Sequence, residues 1–309
     1  MSVPADWDGV AHPRAGAAPR IACVVPSLTE LLFALGLGDR VVARTGFCVH
    51  PRGEVKRVPK IGGTKDFRLD DLRALRPTHL VVNVDENRRE AVDAAREFVP
   101  HVIVTHPCVP DDNLRLYALL GALFGREREA AALAAEFAAA LSELDAAIAG
   151  LARERVLYAI WRKPWMAVAR GTYIAATLSR AGWDVVPGTA AARYPELSDD
   201  DPAWMAAERI LLSSEPYAFR TSDVREQALR RGKPVHLVDG EMTSWYGPRA
   251  IAGMRYLAVL RREIATAASG AAMNHRFPCA TRRPACCCAW CCNRPPPPSD
   301  APTYHGPSL

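Results

Sequence analysis

The feature that most constrains the fold is one long amphipathic segment in the middle of the chain, residues 126–152. Its apolar side chains recur every three or four residues, which is the spacing of one helix face; they are Leu133, Phe137, Leu141, Leu144, Ile148 and Leu151. About 26 residues at 1.5 Å each make a helix of about 39 Å, longer than one small α/β lobe needs. We therefore predict a rigid helical strut with structure on both sides of it.

Short apolar stretches alternate with helical patterns on both sides of this segment. Strands are predicted at 21–25, 41–43, 79–82 and 102–104 before it, and at 156–160, near 185, 210–212 and 235–238 after it. Helices are predicted between them, among others at 69–75, 173–180, 224–229 and 249–266. This alternation is typical of parallel sheets covered by helices. The predicted fold class is α/β, with two Rossmann-like lobes with parallel sheets joined by one long backbone helix.

The same patterns give the predicted domain organisation. It comprises a disordered N-terminus at 1–19, an N-terminal α/β lobe at 20–125, a connecting helix at 126–152, a C-terminal α/β lobe at 153–269 and a disordered Cys/Pro-rich tail at 270–309. The first helix of the N-terminal lobe is predicted to begin at a capping box of Ser27 and Glu30. Its apolar face is predicted to be Leu28, Leu31, Leu32 and Leu35.

The tail changes the meaning of both the charge and the cysteine content. Without the four arginines and one aspartate that follow residue 269, the formal charge falls from +5 to +2, which argues against a nucleic-acid partner. Six of the nine cysteines lie in the tail, and the three others are scattered, so a disulfide framework is not predicted. Cys288 and Cys291 form a C-x-x-C that His275 and Cys279 could extend to a zinc site. An incidental or frame-shifted end is the alternative, and no metal site is predicted.

The ends of the chain also bear on location. The first twenty residues contain no apolar core of a secretory signal, and no apolar run is long enough to cross a bilayer. We therefore expect a cytoplasmic protein from the chain as written, and a periplasmic one if the true start lies upstream.

Candidate functional residues follow the predicted strands, because ligands of open α/β sheets bind beyond the carboxyl ends of the strands. The loops there carry His50, Asp85, Trp161, Trp165, Glu215, Arg220, Glu241, Trp245 and Tyr246. Large aromatic residues in loops favour contact with a ligand, so we predict an inter-lobe cleft with aromatic walls. Cys48 and His50 could ligate a metal with Asp239 or Glu241, although hydrogen bonds to the backbone are the alternative. Arg162, Arg170 and Arg220 could hold an anionic ligand or simply face solvent.

Several segments together resemble a known family. They are RIACVVPSLTELLFALGLGDRVVA, KIGG, DDLRALRPTHLVV, the long helix and GTYIAATLSRAGW. In this order they are similar to the cobalamin and iron-siderophore periplasmic-binding family, the class III substrate-binding proteins or helical-backbone metal receptors. The resemblance covers about residues 20–266 and implies a monomeric substrate-binding protein, with no covalently bound cofactor and no catalytic residues, that serves an ABC transporter permease.

The resemblance also implies roles for individual residues. A flat ligand, cobalamin or another metal chelate such as haem or a ferric siderophore, would lie against Trp161, Trp165, Tyr173, Trp245 and Tyr246. Asp70 and Asp200 would dock on the permease, although each is also suited to stabilise a helix N-terminus. A second hypothesis is a cytoplasmic enzyme of the same architecture, such as a metal or tetrapyrrole chelatase, with His50, Glu215 or Glu241 as acid, base or ligand.

Overall fold

The structure is a computed structural model that describes residues 3–274, with the surroundings of side chains described for residues 3–267. The first half of the fold precedes the long helix. Its elements are β1 (Ile21–Cys23), α1 (Pro26–Ala34), β2 (Val41–Arg44), α2 (Leu69–Ala74), β3 (His79–Asn83), α3 (Arg89–Arg96), β4 (His101–Thr105) and α4 (Asp112–Phe124). The four strands form a parallel sheet in the order β2-β1-β3-β4, with Ile21 beside both Val41 and His79. This confirms the predicted parallel α/β arrangement.

The long helix α5 spans Glu127–Ile148. Its 22 residues make it about 33 Å long, shorter than predicted. The chain leaves the helix before Gly150, which has a φ of +78° that disfavours other residues. α5 packs against α4 so closely that a Cβ on Gly121 would lie 2.5 Å from the Cβ of Ala130. The predicted strut is therefore one arm of a helical hairpin.

The second half follows α5. Its elements are β5 (Glu154–Trp161), β6 (Trp165–Ala167), α6 (Tyr173–Arg180), β7 (Trp183–Val185), β8 (Glu196–Leu197), α7 (Pro202–Ala206), β9 (Arg209–Ser213), α8 (Thr221–Arg231), β10 (Val235–Val238), α9 (Gly240–Ser244) and α10 (Pro248–Asn274). β10, β9, β5 and β7 run parallel, whereas β6 is antiparallel to both β5 and β8. The prediction of parallel sheets is therefore corrected for the second half, whose sheet is mixed.

The apolar core is continuous between the two halves. The leucines predicted for the inner face of α1 are all fully buried, in one cluster with Phe137 of α5, Tyr158 of β5 and Leu257 of α10. Residues up to 267 form one compact unit. The division into lobes at 125 and 152 stays a prediction. None of the helices described is long and apolar enough to cross a membrane.

Two local predictions are wrong. The N-cap of α1 is Val25 and no side chain caps it, because Pro26 occupies the first helical position that the capping box assigns to Leu28. The second wrong prediction is the disordered N-terminus at 1–19. The N-terminal segment, residues 3–20, packs on the first half. Asp6 is buried and accepts hydrogen bonds from the backbone N–H groups of Val10 and Val104.

The predicted tail lies largely outside the described residues, together with its C-x-x-C and the zinc ligands considered for it. α10 continues to Asn274, five residues beyond the boundary predicted at 269.

Candidate ligand-binding cleft

Three polar pairs connect loops of the first half with loops of the second. His50 Nε2 lies 3.1 and 3.2 Å from the two carboxylate oxygens of Glu241. The Tyr246 hydroxyl donates to Glu86, and the Arg193 guanidinium pairs with Asp85. The ends of β2, β3 and β10 thereby meet, beside the loop between β7 and β8 that carries Arg193, and the Glu215 carboxylate after β9 joins them by accepting a hydrogen bond from Trp245. We call this region the cleft, and define it as the loops 45–51, 83–88, 213–217 and 239–249.

Trp245 has a fixed orientation in the cleft. Its ring meets the His50 imidazole edge to face, with centroids 5.6 Å apart and planes at 80°, and the Arg249 guanidinium lies 5.4 Å from its centroid. Its Nε1 donates a hydrogen bond of 2.8 Å to Glu215 Oε1. The side chain is partly exposed. A partly exposed indole held at both ends provides a rigid surface for a ligand at low entropic cost.

Arg249 joins both halves through two carboxylates. Its Nη2 and Nε lie 2.6 and 2.9 Å from the oxygens of Glu30 on α1, and its Nη1 lies 3.2 Å from Glu241. The bidentate pair is mostly buried, a geometry in which guanidinium and carboxylate interact strongly. Glu30, predicted to cap α1, instead anchors the start of α10 beneath the cleft.

The loop that carries Trp245 and Tyr246 is clamped at Gly247. The Gly247 N–H donates to Asn113 Oδ1 at 2.7 Å, and its carbonyl accepts from the Tyr117 hydroxyl at 2.8 Å. A Cβ at this position would lie 3.2 Å from the carbonyl oxygen of Ser27, and φ is +75°, so the site favours glycine. Asn113 is fully buried and also donates to the Tyr173 hydroxyl at 2.9 Å. Tyr173, predicted to contact ligand, is thus a buried support whose ring lies 5.7 Å from that of Tyr246.

Two carboxyl groups of the cleft hold protons unusually tightly. Burial raises the pKa of Glu86 to about 7, with a further upward contribution from the charges of Asp85 and Glu215 and an opposing one from the Tyr246 hydrogen bond. Burial and the charge of Glu241 raise the pKa of Glu215 to about 7, against the hydrogen bonds from Trp245 and Ser244. Glu86 and Glu215 come from opposite halves, so their mutual repulsion acts across the cleft.

Trp161 and Arg220 lie at the side of the cleft formed by the second half. The partly buried Trp161 packs edge to face on Tyr217, with centroids 5.6 Å apart. Tyr217 and the exposed Arg220 line a shallow pocket of about 360 Å³ together with Asp223. This surface adjoins the cleft through the loop 213–217, to which Tyr217 belongs.

Other predicted residues lie elsewhere. Trp165 is buried in the core of the second half, stacked on Phe219 at 5.8 Å and edge to face with Trp204, because β6 turns it inward. Arg162 is neutralised by Asp223 and Glu226, each at 2.6 Å. Neither side chain belongs to the cleft as defined here.

The metal-ligand arrangement considered for the cleft is not formed. His50 does meet Glu241, but Cys48 is fully buried and its Sγ accepts a hydrogen bond of 3.1 Å from the Thr29 hydroxyl. Among residues 3–267, no group of three or more His, Cys, Asp or Glu side chains is arranged to hold a metal ion.

The two residues predicted to dock on a transporter are both exposed. Asp70 lies in the first turn of α2, where its neighbour Asp71 pairs with Arg68. Asp200 precedes α7, and its carboxylate accepts a 2.6 Å hydrogen bond from Ser198.

Sequence reasoning missed four of the residues that hold the cleft together, Asn113, Arg193, Gly247 and Arg249, and gave Glu30 only a capping role. Position gives a signal for two residues: Glu86 lies in the loop after the predicted strand 79–82, and Gly247 lies between Tyr246 and Pro248 before a predicted helix. Asn113 lies inside a helix, where the sequence gives no sign of its distant partners.

Comparison with known proteins agrees with this architecture. The sequence profile described as periplasmic binding protein matches residues 21–230. The chain belongs to the periplasmic binding protein family. A vitamin B12-binding protein of Vibrio parahaemolyticus is 22% identical over 179 residues, which are 58% of this chain and 65% of that protein. An uncharacterised ABC transporter substrate-binding lipoprotein of Bacillus subtilis is 34% identical over 79 residues, 26% of this chain and 24% of that protein. The match thus spans less than two-thirds of each of these relatives.

Solved structures of this architecture include proteins whose named ligands are vitamin B12 and haem. The periplasmic vitamin B12-binding protein of Vibrio cholerae has a TM-score of 0.71 at 18% identity, with 81% of this chain and 98% of that chain covered. The periplasmic haem-binding protein of Roseiflexus sp. RS-1, in its apo form, has a TM-score of 0.69 at 20% identity, with 81% and 100% covered. At these identities the likeness establishes the fold.

Proposed function

We propose that this protein binds a metal chelate in the cleft, with a corrinoid such as cobalamin as the first candidate, and delivers it to an ABC transporter. The observation that carries the proposal is the convergence of aromatic and polar side chains from both halves, centred on Trp245 between His50 and Arg249. Family membership and the B12- and haem-binding relatives support this class of ligand.

The cross-cleft pairs imply how a ligand enters. A flat chelate that lies on Trp245 must displace or tilt His50 and weaken its hydrogen bonds to Glu241. The Arg249–Glu30 pair and the Asn113–Gly247 bond lie beneath this layer and would keep the halves in register. Binding therefore exchanges contacts between the halves for contacts with the ligand.

The charge of the cleft favours a ligand without carboxylates. Carboxyl groups outnumber guanidinium groups in and beside it: Asp85, Asp239 and Glu241, with Glu86 and Glu215 partly protonated near pH 7, stand against Arg193, Arg220 and Arg249. Arg193 and Arg249 are already paired. A haem brings two carboxylates, which would be desolvated beside like charges, whereas the amide groups of a corrinoid can donate to Glu86 and Glu215. We infer a preference for the corrinoid.

Calorimetric titration with cyanocobalamin, haemin, haemin dimethyl ester and a ferric siderophore tests the proposal. We expect cyanocobalamin to bind below 100 µM, and the ester to bind at least tenfold more tightly than the diacid. Absence of binding by every ligand would refute the proposed function. Equal affinity of ester and diacid would refute only the charge argument.

Truncation of the aromatic wall locates the site. Trp245→Ala and Trp161→Ala should each lose about 2 kcal/mol of binding, some thirtyfold in affinity. Trp7→Ala is the matched control, because Trp7 is also partly buried but lies on the N-terminal segment under Arg115. Wild-type affinity in both Trp245→Ala and Trp161→Ala would show that these two side chains do not form the ligand site.

The family favours binding without turnover over the chelatase hypothesis for His50, Glu215 and Glu241. We propose that the protein acts as a monomer outside the cytoplasm, and that the exposed Asp70 and Asp200 dock on the permease. Charge reversal of both should leave cobalamin affinity unchanged and abolish the stimulation of the transporter's ATPase in proteoliposomes. Undiminished stimulation would refute the docking role.

A further inference from the structure

Three histidines meet at the other end of the first sheet, away from the cleft. His79 begins β3, His101 begins β4, and His12 belongs to the N-terminal segment. The ring centroids of His79 and His101 are 4.9 Å apart, and those of His12 and His101 are 6.1 Å apart. We call these three residues the histidine cluster.

The cluster lies where the N-terminal segment covers the edge strand β4. The Trp7 N–H donates to the Val104 carbonyl at 3.1 Å, and the Val104 N–H donates to Asp6 at 3.1 Å. Asp6 also lies 3.0 Å from His12 Nε2. The segment thereby satisfies backbone N–H and C=O groups that the edge strand β4 would otherwise expose. The histidine cluster lies at the N-terminal end of β4.

His79 is the most buried member of the cluster. It is 4% exposed, and its Nδ1 lies 2.7 Å from the Thr78 hydroxyl. Its Nε2 is buried without a hydrogen-bond partner among the described residues. The Phe124 ring, 5.2 Å away, closes one side. A second proton on this ring would create a buried charge with no counter-ion in contact.

The charged groups around His79 do not relieve this cost. The carboxylate of the N-terminal segment that contacts the cluster, Asp6, is already occupied by His12 and by backbone N–H groups of the N-terminal segment and β4. The Arg20 guanidinium turns to the carbonyls of Leu75 and Arg76, and Arg14, beside α4, pairs with Glu127. Burial and the neighbouring His101 and His12 lower the pKa of His79 to about 4.

We propose that the histidine cluster is an acid-sensitive latch that holds the N-terminal segment on β4 while His79 is neutral and releases it on protonation. Release would uncover the β4 edge. It would also dismantle a pocket of about 600 Å³ that Asp8 and Val10 of the segment line together with Asn87 and Arg96. In the released state His79 has an ordinary pKa near 6.5, which is higher than its pKa in the latched state. The released state therefore binds a proton more readily, so a decrease in pH favours release.

Hydrogen exchange on the full chain, read by mass spectrometry and corrected for intrinsic rates, tests the latch. Between pH 8 and pH 4.5, the opening equilibrium of residues 5–15 should rise by up to about 80-fold, the ratio that a pKa of about 4 against 6.5 gives. Peptides from α5 should change far less. Equal protection of residues 5–15 at both pH values would overturn the proposal.

A substitution separates the latch from general acid unfolding. His79→Phe keeps a ring against Phe124 and cannot be protonated, so its segment should stay protected at pH 4.5. If His79→Phe does not fold, His101→Gln is the alternative variant, because His101 is only partly buried. Removal of His101 should reduce the acid-induced opening of the N-terminal segment. A wild-type pH response in the folded variant would assign the opening to other groups and contradict the latch.

Discussion

Replacement of Asn113 by alanine should weaken both the fold and the cleft. The side chain is fully buried and makes three hydrogen bonds: from Nδ2 to the Pro110 carbonyl at 2.7 Å and to the Tyr173 hydroxyl at 2.9 Å, and to Oδ1 from the Gly247 N–H at 2.7 Å. Alanine removes the partner of two buried polar groups, the Tyr173 hydroxyl and the Gly247 N–H, each at a cost of about 1–3 kcal/mol, whereas the Pro110 carbonyl still accepts from the backbone N–H of residue 113. Allowing for relaxation, we expect a loss of about 3–5 kcal/mol.

Thermal and urea unfolding measure this loss. For a unit of this size, about 3–5 kcal/mol corresponds to a decrease in Tm of about 6–20 °C. Leu114→Ala is the matched control, because Leu114 is the next residue of α4 and is exposed.

Ligand affinity gives an independent readout. If Gly247 holds the loop of Trp245 and Tyr246 in place, Asn113→Ala should bind cyanocobalamin at least tenfold more weakly while still folded. A decrease in Tm no larger than that of Leu114→Ala, with unchanged affinity, would refute the argument that this clamp positions the cleft.

Three further predictions concern the helix and the titrating groups. Ala139→Pro, at an exposed site in the middle of α5, should cost about 3 kcal/mol or more in urea unfolding against about 1 for Ala139→Gly; equal values would contradict a continuous helix. Glu215 has a raised pKa, so its contribution to stability is present below the pKa of the unfolded state and is lost as the pH rises from about 4.5 to 7. The free energy of unfolding of Glu215→Gln should therefore rise relative to that of wild type by up to about 3 kcal/mol over that range. A difference between the two proteins that does not change with pH would refute the assignment. His79 has a lowered pKa, so its contribution to stability is present above about pH 6.5 and is lost as the pH falls towards 4. In His79→Phe, the decrease in the free energy of unfolding over that range should be smaller by up to about 3 kcal/mol. The same pH dependence of stability in this variant and in wild type would contradict the prediction.

Local patterns in the sequence predicted local structure well. The bounds predicted for α6 and β10 are those of the structure, and the leucine spacing identified the buried face of α1. The antiparallel strands β6 and β8 were not predicted, because three- and two-residue strands are too short to show a period. The N-terminal segment was taken for disorder because its anchor is the burial of one carboxylate, Asp6, rather than an apolar face.

The cleft was predictable only in part. The rule that ligands lie beyond the carboxyl ends of strands placed His50 and Glu241 in facing loops, and they meet. The same rule misplaced Trp165, because the turn at 162–164 returns the chain to the sheet as β6 and buries the ring. Pairs such as Glu30 with Arg249 join residues 219 positions apart, which spacing along one sequence cannot reveal.

The central claim is that one ligand contacts both halves of the protein in the cleft. Hydrogen exchange with and without saturating cyanocobalamin measures this directly, because a ligand in the cleft should protect 45–51 and 83–88 from the first half as well as 213–217 and 239–249 from the second. Protection on both sides, weaker when haemin diacid replaces cyanocobalamin at the same concentration, is the result we predict. Protection confined to one half, or to residues outside these four loops, would contradict it.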